Sequence, residues 1–386
     1  MPDEIPGAGS GPCPIRSLPS SNIGNPLGIP ARRRRNRGGI LNHHRLLAST
    51  ACSCALGALS VAAHATTYHI TDLGIGGGAA INAAGAVAGS HSTTGLDFTP
   101  ALYAQGKVTD LGSLGGNSGV ASGIADDGTI VGQSMTALSV FHAFRSVGGV
   151  MKDLGTLASS KSSMSAAVGI NRKGHVCGSS YTDGGVWHFF LVKGWAMKDI
   201  GAPAGSEGAY ASACNNKDDI VGSAFAPVTG NPHAVLYHDH QFTDLGDFAA
   251  GAGYSNALGV NDHDEVVGMA SAGTNGSSAP LTAFYWKAGK MRNLGVLPGS
   301  AGIFSAAYAI ANDGTVVGAS AVTPTNSVTA AFVYKRGVMT DMNKLLDASS
   351  AGWHLDSAAA INPAGQITGV GTIHGASHVF LATPLD

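Results

Sequence analysis

Three sets of residues in this sequence have the types and spacing for chemistry. His238-Asp239-His240 puts two imidazoles and a carboxylate in one short turn, a donor set that could hold a divalent ion weakly. An exposed turn is an equally ordinary home for polar residues, and no metal is assigned from it. A D-L-G-type step recurs at Asp72, Asp110, Asp153, Asp199, Asp244, Asn293 and Asp341, and a histidine recurs at one strand position as His142, His188, His233 and His378. A ring of carboxylates could face a ligand, yet Asn293 replaces one of them, which a hydrogen-bond acceptor tolerates and a charge-dependent site does not. One histidine per repeat is too widely spaced to share a metal. Both sets therefore read as structural, with the Asp accepting backbone N–H groups at a strand end.

The third set is aromatic. Tyr210, Tyr254, Phe304 and Trp353 each fall at the start of a repeat's first strand, where half-exposed rings could stack on a sugar or anchor a protein. The preferred reading is that they fill the seam between neighbouring repeats, since Met164 occupies the place of Tyr254 and Phe304. These four are the ligand-binding candidates. The chain has no G-x-S-x-G element, no H-E-x-x-H and no glycine-rich phosphate loop, so no catalytic residue and no cofactor is assigned. Two carboxylates from distant repeats leave no linear signature, which keeps a polysaccharide hydrolase as the alternative.

The elements that must position these residues are repeats. The clearest copy is AVGINRKGHVCGSS, residues 167–180, generically A-x-x-I-N-x-x-G-x-V-V-G-x-S. Apolar residues flank N-x-x-G, which suits a type I turn closed by a glycine in the left-handed region, so each copy is a β-hairpin. The second glycines fall at Gly89, Gly132, Gly178, Gly222, Gly268, Gly318 and Gly369, at intervals of 43, 46, 44, 46, 50 and 51 residues. The turn glycine is replaced in two copies by Asp218 and Asp264, and Asp is among the few residues that tolerate positive φ. A second hairpin follows each first one and ends in the D-L-G step. Four short antiparallel strands per 40 to 50 residues predict an all-β fold, a seven-bladed β-propeller.

The blades are expected at residues 79–112, 120–155, 165–201, 210–246, 255–295 and 305–343, with three strands of the last between 356 and 383. Its fourth strand is missing at that end of the chain and is supplied by TTYHITDLG, residues 66–74. The N-terminal strand therefore joins the last blade and closes the ring, which removes open sheet edges. The links between second and third strands, and from a fourth strand to the next first, are long and variable. Both emerge on one face, where function on a rigid scaffold is expected.

Residues 1–65 differ in kind. They are rich in Pro, Gly, Ser and Arg, carry the basic cluster Arg32–Arg35, and then LLASTACSCALGALSVAAHA with Ala63-His64-Ala65 as an A-x-A cleavage site. This reads as a disordered extension plus a secretory signal peptide, with an uncleaved membrane anchor as the alternative and a misplaced start codon as a further option. Of 22 basic and 24 acidic residues, this segment holds seven and two, leaving 15 and 22 in residues 66–386, a net charge of −7. Nucleic acid is an unfavourable partner for such a surface. Cys177 and Cys214 stand where other copies have Val or Ile, so they are expected as buried apolar side chains, although oxidising surroundings permit a disulfide between them.

The H-A-F strand at His142-Ala143-Phe144, the D-L-G-x-L-G-G step at residues 110–116 and the I-N-x-x-G-x-V-V-G-x-S hairpin together resemble the bacterial HAF-repeat family of extracellular repeat proteins, over about residues 66–386. The literal triplet occurs once, with HFF, HAV and HVF elsewhere. ADDGTIVG and ANDGTVVG are also similar to the S-x-D-x-G-x-T-W box of sialidase-type propellers, but the spacing differs and no Trp follows. The HAF resemblance implies an extracellular setting and no chemistry. The expected protein is a secreted or periplasmic monomer acting as a non-catalytic binding or scaffold module for a glycan or protein ligand at the cell surface.

Overall fold

The computed structural model describes residues 66–92, 98–226, 230–271 and 280–385. The expected leader at 1–65 and most of the links 91–100 and 271–280 lie outside the described residues. No described helix is long and apolar enough to cross a membrane. The described chain is all-β apart from short 3₁₀ turns, and its strands follow the meander order of a β-propeller. Five antiparallel sheets of four strands each occupy residues 115–155, 165–201, 209–246, 255–295 and 305–341, and a sixth sheet has seven strands.

The seven-stranded sheet corrects the expected strand bounds. Its central member, β1 (Tyr68–Ile81), does not stop after the first D-L-G step. Residues 68–75 pair with the last strand, Ala376–Pro384, and residues 76–81 pair with Val87–His91. One continuous strand thus serves as outer strand to the end of the chain and as inner strand to its beginning. The positive φ of Gly74 and Gly76 lets it turn between the two roles. Its start is tied further by Tyr68 N–H to the Leu345 carbonyl at 2.7 Å and Ile70 N–H to Ser350 Oγ at 2.9 Å.

The repeated motifs have mechanical roles. In all seven hairpins the first strand carries a β-bulge, at positions such as 122, 168 and 359, opposite the second glycine. The bulge pushes a carbonyl towards that glycine, so a Cβ on Gly178 would lie 2.1 Å from the Ala166 oxygen, and one on Gly89 1.8 Å from the Gly77 oxygen. The cross-strand partner of Gly132, Gly178, Gly268, Gly318 and Gly369 is Phe144, Phe190, Phe284, Phe332 and Phe380 respectively, and all five rings are fully buried. The bare glycine leaves the space into which the H-A-F phenylalanine folds. Burying such a ring contributes about 1.5–3 kcal/mol.

The turn glycine behaves differently. Gly85, Gly128, Gly174, Gly314 and Gly365 all have φ between 72° and 82°, and Asp218 and Asp264 adopt 75° and 58°. A Cβ on Gly174 would meet nothing within 4 Å, so only backbone strain opposes a side chain there. Gly174→Ala should therefore lose about 1–2 kcal/mol in urea denaturation, and Gly174→Asn less. Gly178→Ala, at ordinary φ but without room, should lose 3 kcal/mol or more, roughly the overpacking range or beyond. Equal losses at the two positions would contradict this division.

Candidate functional site

The hairpin turns converge around a cavity of about 950 Å³, lined by the apolar residue before each Asn and by the turns themselves. Asn171 shows what the I-N-x-x-G asparagine does. Its Oδ1 accepts from the N–H groups of Lys173 and His175 at 3.0 and 3.1 Å, capping its own turn. Its Nδ2 donates to the Asn215 carbonyl of the next sheet at 3.1 Å. The relay continues from Asn215 to the Asn261 carbonyl, from Asn261 to Ala311, from Asn362 to Asn82, and from Asn82 to Ala125. Where Ala125 and Ala311 replace Asn, Asp127 and Asp313 accept the turn N–H of Thr129 and Thr315 instead. The amides facing this cavity are thus engaged in holding sheets together, and its rim balances Asp126, Asp262 and Asp313 against Arg172, Lys335 and Arg336.

On the opposite, long-loop face the recurring His and Asp form pairs. Nδ1 of His142, His188, His233 and His378 lies 2.8–3.0 Å from the carboxylate of Asp153, Asp199, Asp244 and Asp72. The same carboxylates accept the N–H of the glycine two residues on, at 2.7–2.8 Å, and Asn293 does so for Gly295. Thr99 takes the histidine's part against Asp110. At Asp72, Asp110, Asp153, Asp199 and Asp244 the side chain therefore holds its own turn and ties down the neighbouring strand, while Asn293 holds the turn alone. His233 has a second carboxylate near it, Asp247, buried and held by the N–H groups of Ala249, Gly251 and Gly253.

Of the four aromatic candidates, only Tyr210 is well exposed, at 40%. Trp353 packs edge-on against His378 and Phe380, while Tyr254 and Phe304 are half-buried and joined through backbone to Ser271 and Ala321. The structure does not bring the four together. It gathers different rings around Tyr210: Tyr181 and Trp187 are 4.3 Å apart, Trp187 and Tyr210 5.4 Å, and Tyr210 and Phe225 6.2 Å, centroid to centroid. This shelf spans two adjacent sheets. Tyr181 and Trp187 are a cross-strand pair at the end of the long-loop hairpin, and the alternation along the strands Val176–Tyr181 and Trp187–Lys193 could have exposed that pairing in the sequence.

One expectation is corrected. Cys177 and Cys214 form a disulfide between adjacent sheets, with Cα atoms 6.3 Å apart, rather than remaining as separate apolar side chains. The two positions lie in different strand types, and only the packing of one sheet's second strand on the next sheet's first brings them together. In the turn 238–240, His238 Nδ1 pairs with Asp219 at 2.8 Å and its Nε2 lies 3.4 Å from the 91% exposed Asp239, while His240 contacts the Tyr237 hydroxyl.

No family model and no curated protein matches the sequence. Among solved structures, the chain is similar to the beta-propeller domain of the Trilobed protease from Pyrococcus furiosus, with a TM-score of 0.50 and 8% identity over 83% of this chain and 98% of that one. It is also similar to Pyrococcus horikoshii acylaminoacyl peptidase, with a TM-score of 0.51 and 10% identity over 83% of this chain and 52% of that one. Oligogalacturonate lyase from Vibrio parahaemolyticus gives 0.50 and 8% over 82% and 91%. At these identities the likeness is one of fold, the β-propeller.

The His233 pair makes a pH-dependent contribution to stability. The hydrogen bond His233 donates to Asp244 raises the His233 pKa above 6.5, against burial and with help from the charges of Asp244 and Asp247. At Asp244 burial works to raise the pKa, and the hydrogen bonds from His233 and Gly246 outweigh it and hold the carboxyl below 3.8. The histidine's share is present below its unfolded pKa and fades as pH rises through the raised folded value. The aspartate's share is present above about 4 and fades as pH falls. His233→Gln should therefore destabilise more at pH 5.5 than at pH 8.5 in urea denaturation. An equal loss at both would show that the imidazole serves only as a spacer.

Proposed function

We propose that this chain is a secreted, non-catalytic binding module of the HAF-repeat kind, a monomeric seven-bladed propeller whose long-loop face binds a glycan through the Tyr181–Trp187–Tyr210–Phe225 shelf. The observation that carries the binding reading is the shelf itself. Four rings in sequential contact, tilted by 37° to 76° to one another and one of them 40% exposed, offer apolar ring surface of the kind on which sugar rings stack. Asp183 and Thr182 lie in the adjoining turn and supply polar edges, Asp183 accepting from Ser159 at 2.8 Å. The hairpin face is less suited, because its amides are committed to the relay between sheets.

The count of seven blades follows if β1 is divided at its bend, giving its first half to the last three strands and its second half to the first three. The Asn362 to Asn82 hydrogen bond at 2.9 Å supports a closed ring, as does the packing of Val379 with Val87, Ala101 and Tyr103. The Cys177–Cys214 disulfide supports an oxidising compartment, in keeping with the A-x-A segment. The motifs that carry the HAF resemblance have structural roles here: the phenylalanine, the D-L-G aspartate and the hairpin asparagine hold strands or sheets together.

A glycan array probed with the secreted chain tests the binding reading. Tyr210→Ala and Trp187→Ala should each weaken binding to the hits roughly tenfold, about 1–2 kcal/mol, with unchanged circular dichroism. Wild-type binding by both variants would refute the shelf as the site. Closure has its own test in truncation. Removing residues 66–74 should expose the edge at 376–384 and cause aggregation, whereas removing 1–65 should leave a soluble fold with the same unfolding midpoint.

A further inference from the structure

A second set of convergent side chains lies away from the shelf, on the hairpin face between the sheets at 209–246 and 255–295. Asp219 immediately precedes the strand Ile220–Phe225, His238 ends the strand Pro232–His238, and Asp264 lies in the turn before the strand Val266–Ser271 of the neighbouring sheet. One ligating atom from each lies within 4.8 Å of the other two. The three residues come from three separate segments, which is why no linear motif announces them.

The set is part fixed and part open. Asp219 is 4% exposed, and its carboxylate is oriented by Asn215 Nδ2 at 2.7 Å on one oxygen and by His238 Nδ1 at 2.8 Å on the other. His238 and Asp264 face a cleft of about 560 Å³ that His263 and Asp239 also line, so an ion could enter from solvent. Asp264 occupies a place where five other hairpins have glycine, and it adopts a φ of 58° that an L side chain enters at a cost. Its partner there is the Lys217 ammonium, 2.9 Å from Oδ1 and 3.1 Å from Oδ2, at the end of a flexible and half-exposed stem.

Two carboxylates and one imidazole suit a borderline divalent cation, since Zn²⁺ and Mn²⁺ accept mixed nitrogen and oxygen donors. We propose that Asp219, His238 and Asp264 form a divalent-cation site of the Zn²⁺/Mn²⁺ class that clamps two adjacent sheets together. Lys217 occupies part of it in the metal-free state and swings away on binding. The buried Asp219 supplies a preset ligand, and the two partly exposed residues close on the ion.

The test titrates the untagged full chain, stripped with EDTA, with ZnCl₂ and MnCl₂ in a calorimeter. Binding should be one to one at this site and weaker by at least about tenfold in His238→Gln and in Asp264→Asn, a turn position where Asn tolerates the backbone. His240→Gln should bind as wild type, and Lys217→Gln should bind several-fold more tightly because the competing ammonium is gone. Unliganded melting temperatures confirm that the variants fold. No binding of either ion overturns the proposal, as does affinity that falls with His240→Gln while His238→Gln and Asp264→Asn keep theirs.

Discussion

A carbonyl and a glycine that approach too closely for a methyl group set the geometry of every sheet. The bulge in each first strand aims a backbone oxygen at the second glycine of the hairpin, leaving 1.8–2.1 Å to where a Cβ would sit. The bulge bends and twists the inner strand. The missing side chain opens the hollow that a phenylalanine fills in five of the seven hairpins, with Val235 and Ala101 in the other two. Twist, core filling and glycine content are thus one constraint, satisfied once per repeat.

Polar side chains then join sheets whose strands do not hydrogen-bond to each other. The hairpin asparagine caps its own turn and reaches the next sheet's carbonyl, so one residue satisfies buried groups on both sides. On the far face Ser165, Ser255 and Ser305 do the equivalent, each accepting a backbone N–H and donating to the carbonyl of the D-L-G glycine in the preceding sheet. The disulfide adds a covalent tie across one such seam, and a sequence separation of 37 residues corresponds to about 4 kcal/mol of loop-closure entropy.

Much of this is legible in the sequence because it repeats. The spacing of the second glycines locates the hairpins, positive φ is written in Gly128 and Gly174 and in their Asp substitutes, and the unmatched D-L-G strand at the amino end announces its pairing with the last strand. What is not legible depends on which residues of one sheet face the next. Cys177 and Cys214 read as apolar because each repeat position is apolar, and only the packing of adjacent sheets makes them partners. Tyr210 is identifiable by its place in the repeat, but its companions Tyr181 and Trp187 come from the preceding sheet. Asp219, His238 and Asp264 need both the hairpin register and the seam between sheets before they converge.

Several departures from the repeat cluster together. Every sheet faces the same steric and hydrogen-bonding demands, so a residue that breaks the pattern must find compensation nearby. Asp218 replaces a turn glycine, and burial works against its charge. Hydrogen bonds from His175, Lys193 and Asn171 outweigh that and keep the carboxyl below its usual range. Asp264 makes the same exchange against Lys217, Cys177 and Cys214 replace apolar residues with a bond, and the aromatic shelf lies over the same pair of sheets. All of these fall between residues 165 and 295, and most cross a seam between two sheets. That arc carries several departures from the uniform repeat, and uniform demands on every sheet cannot account for them. Both the shelf and the three-ligand cluster belong to it, on opposite faces. A ligand on one face and an ion on the other would act on adjoining seams, with the disulfide keeping the sheets in fixed register.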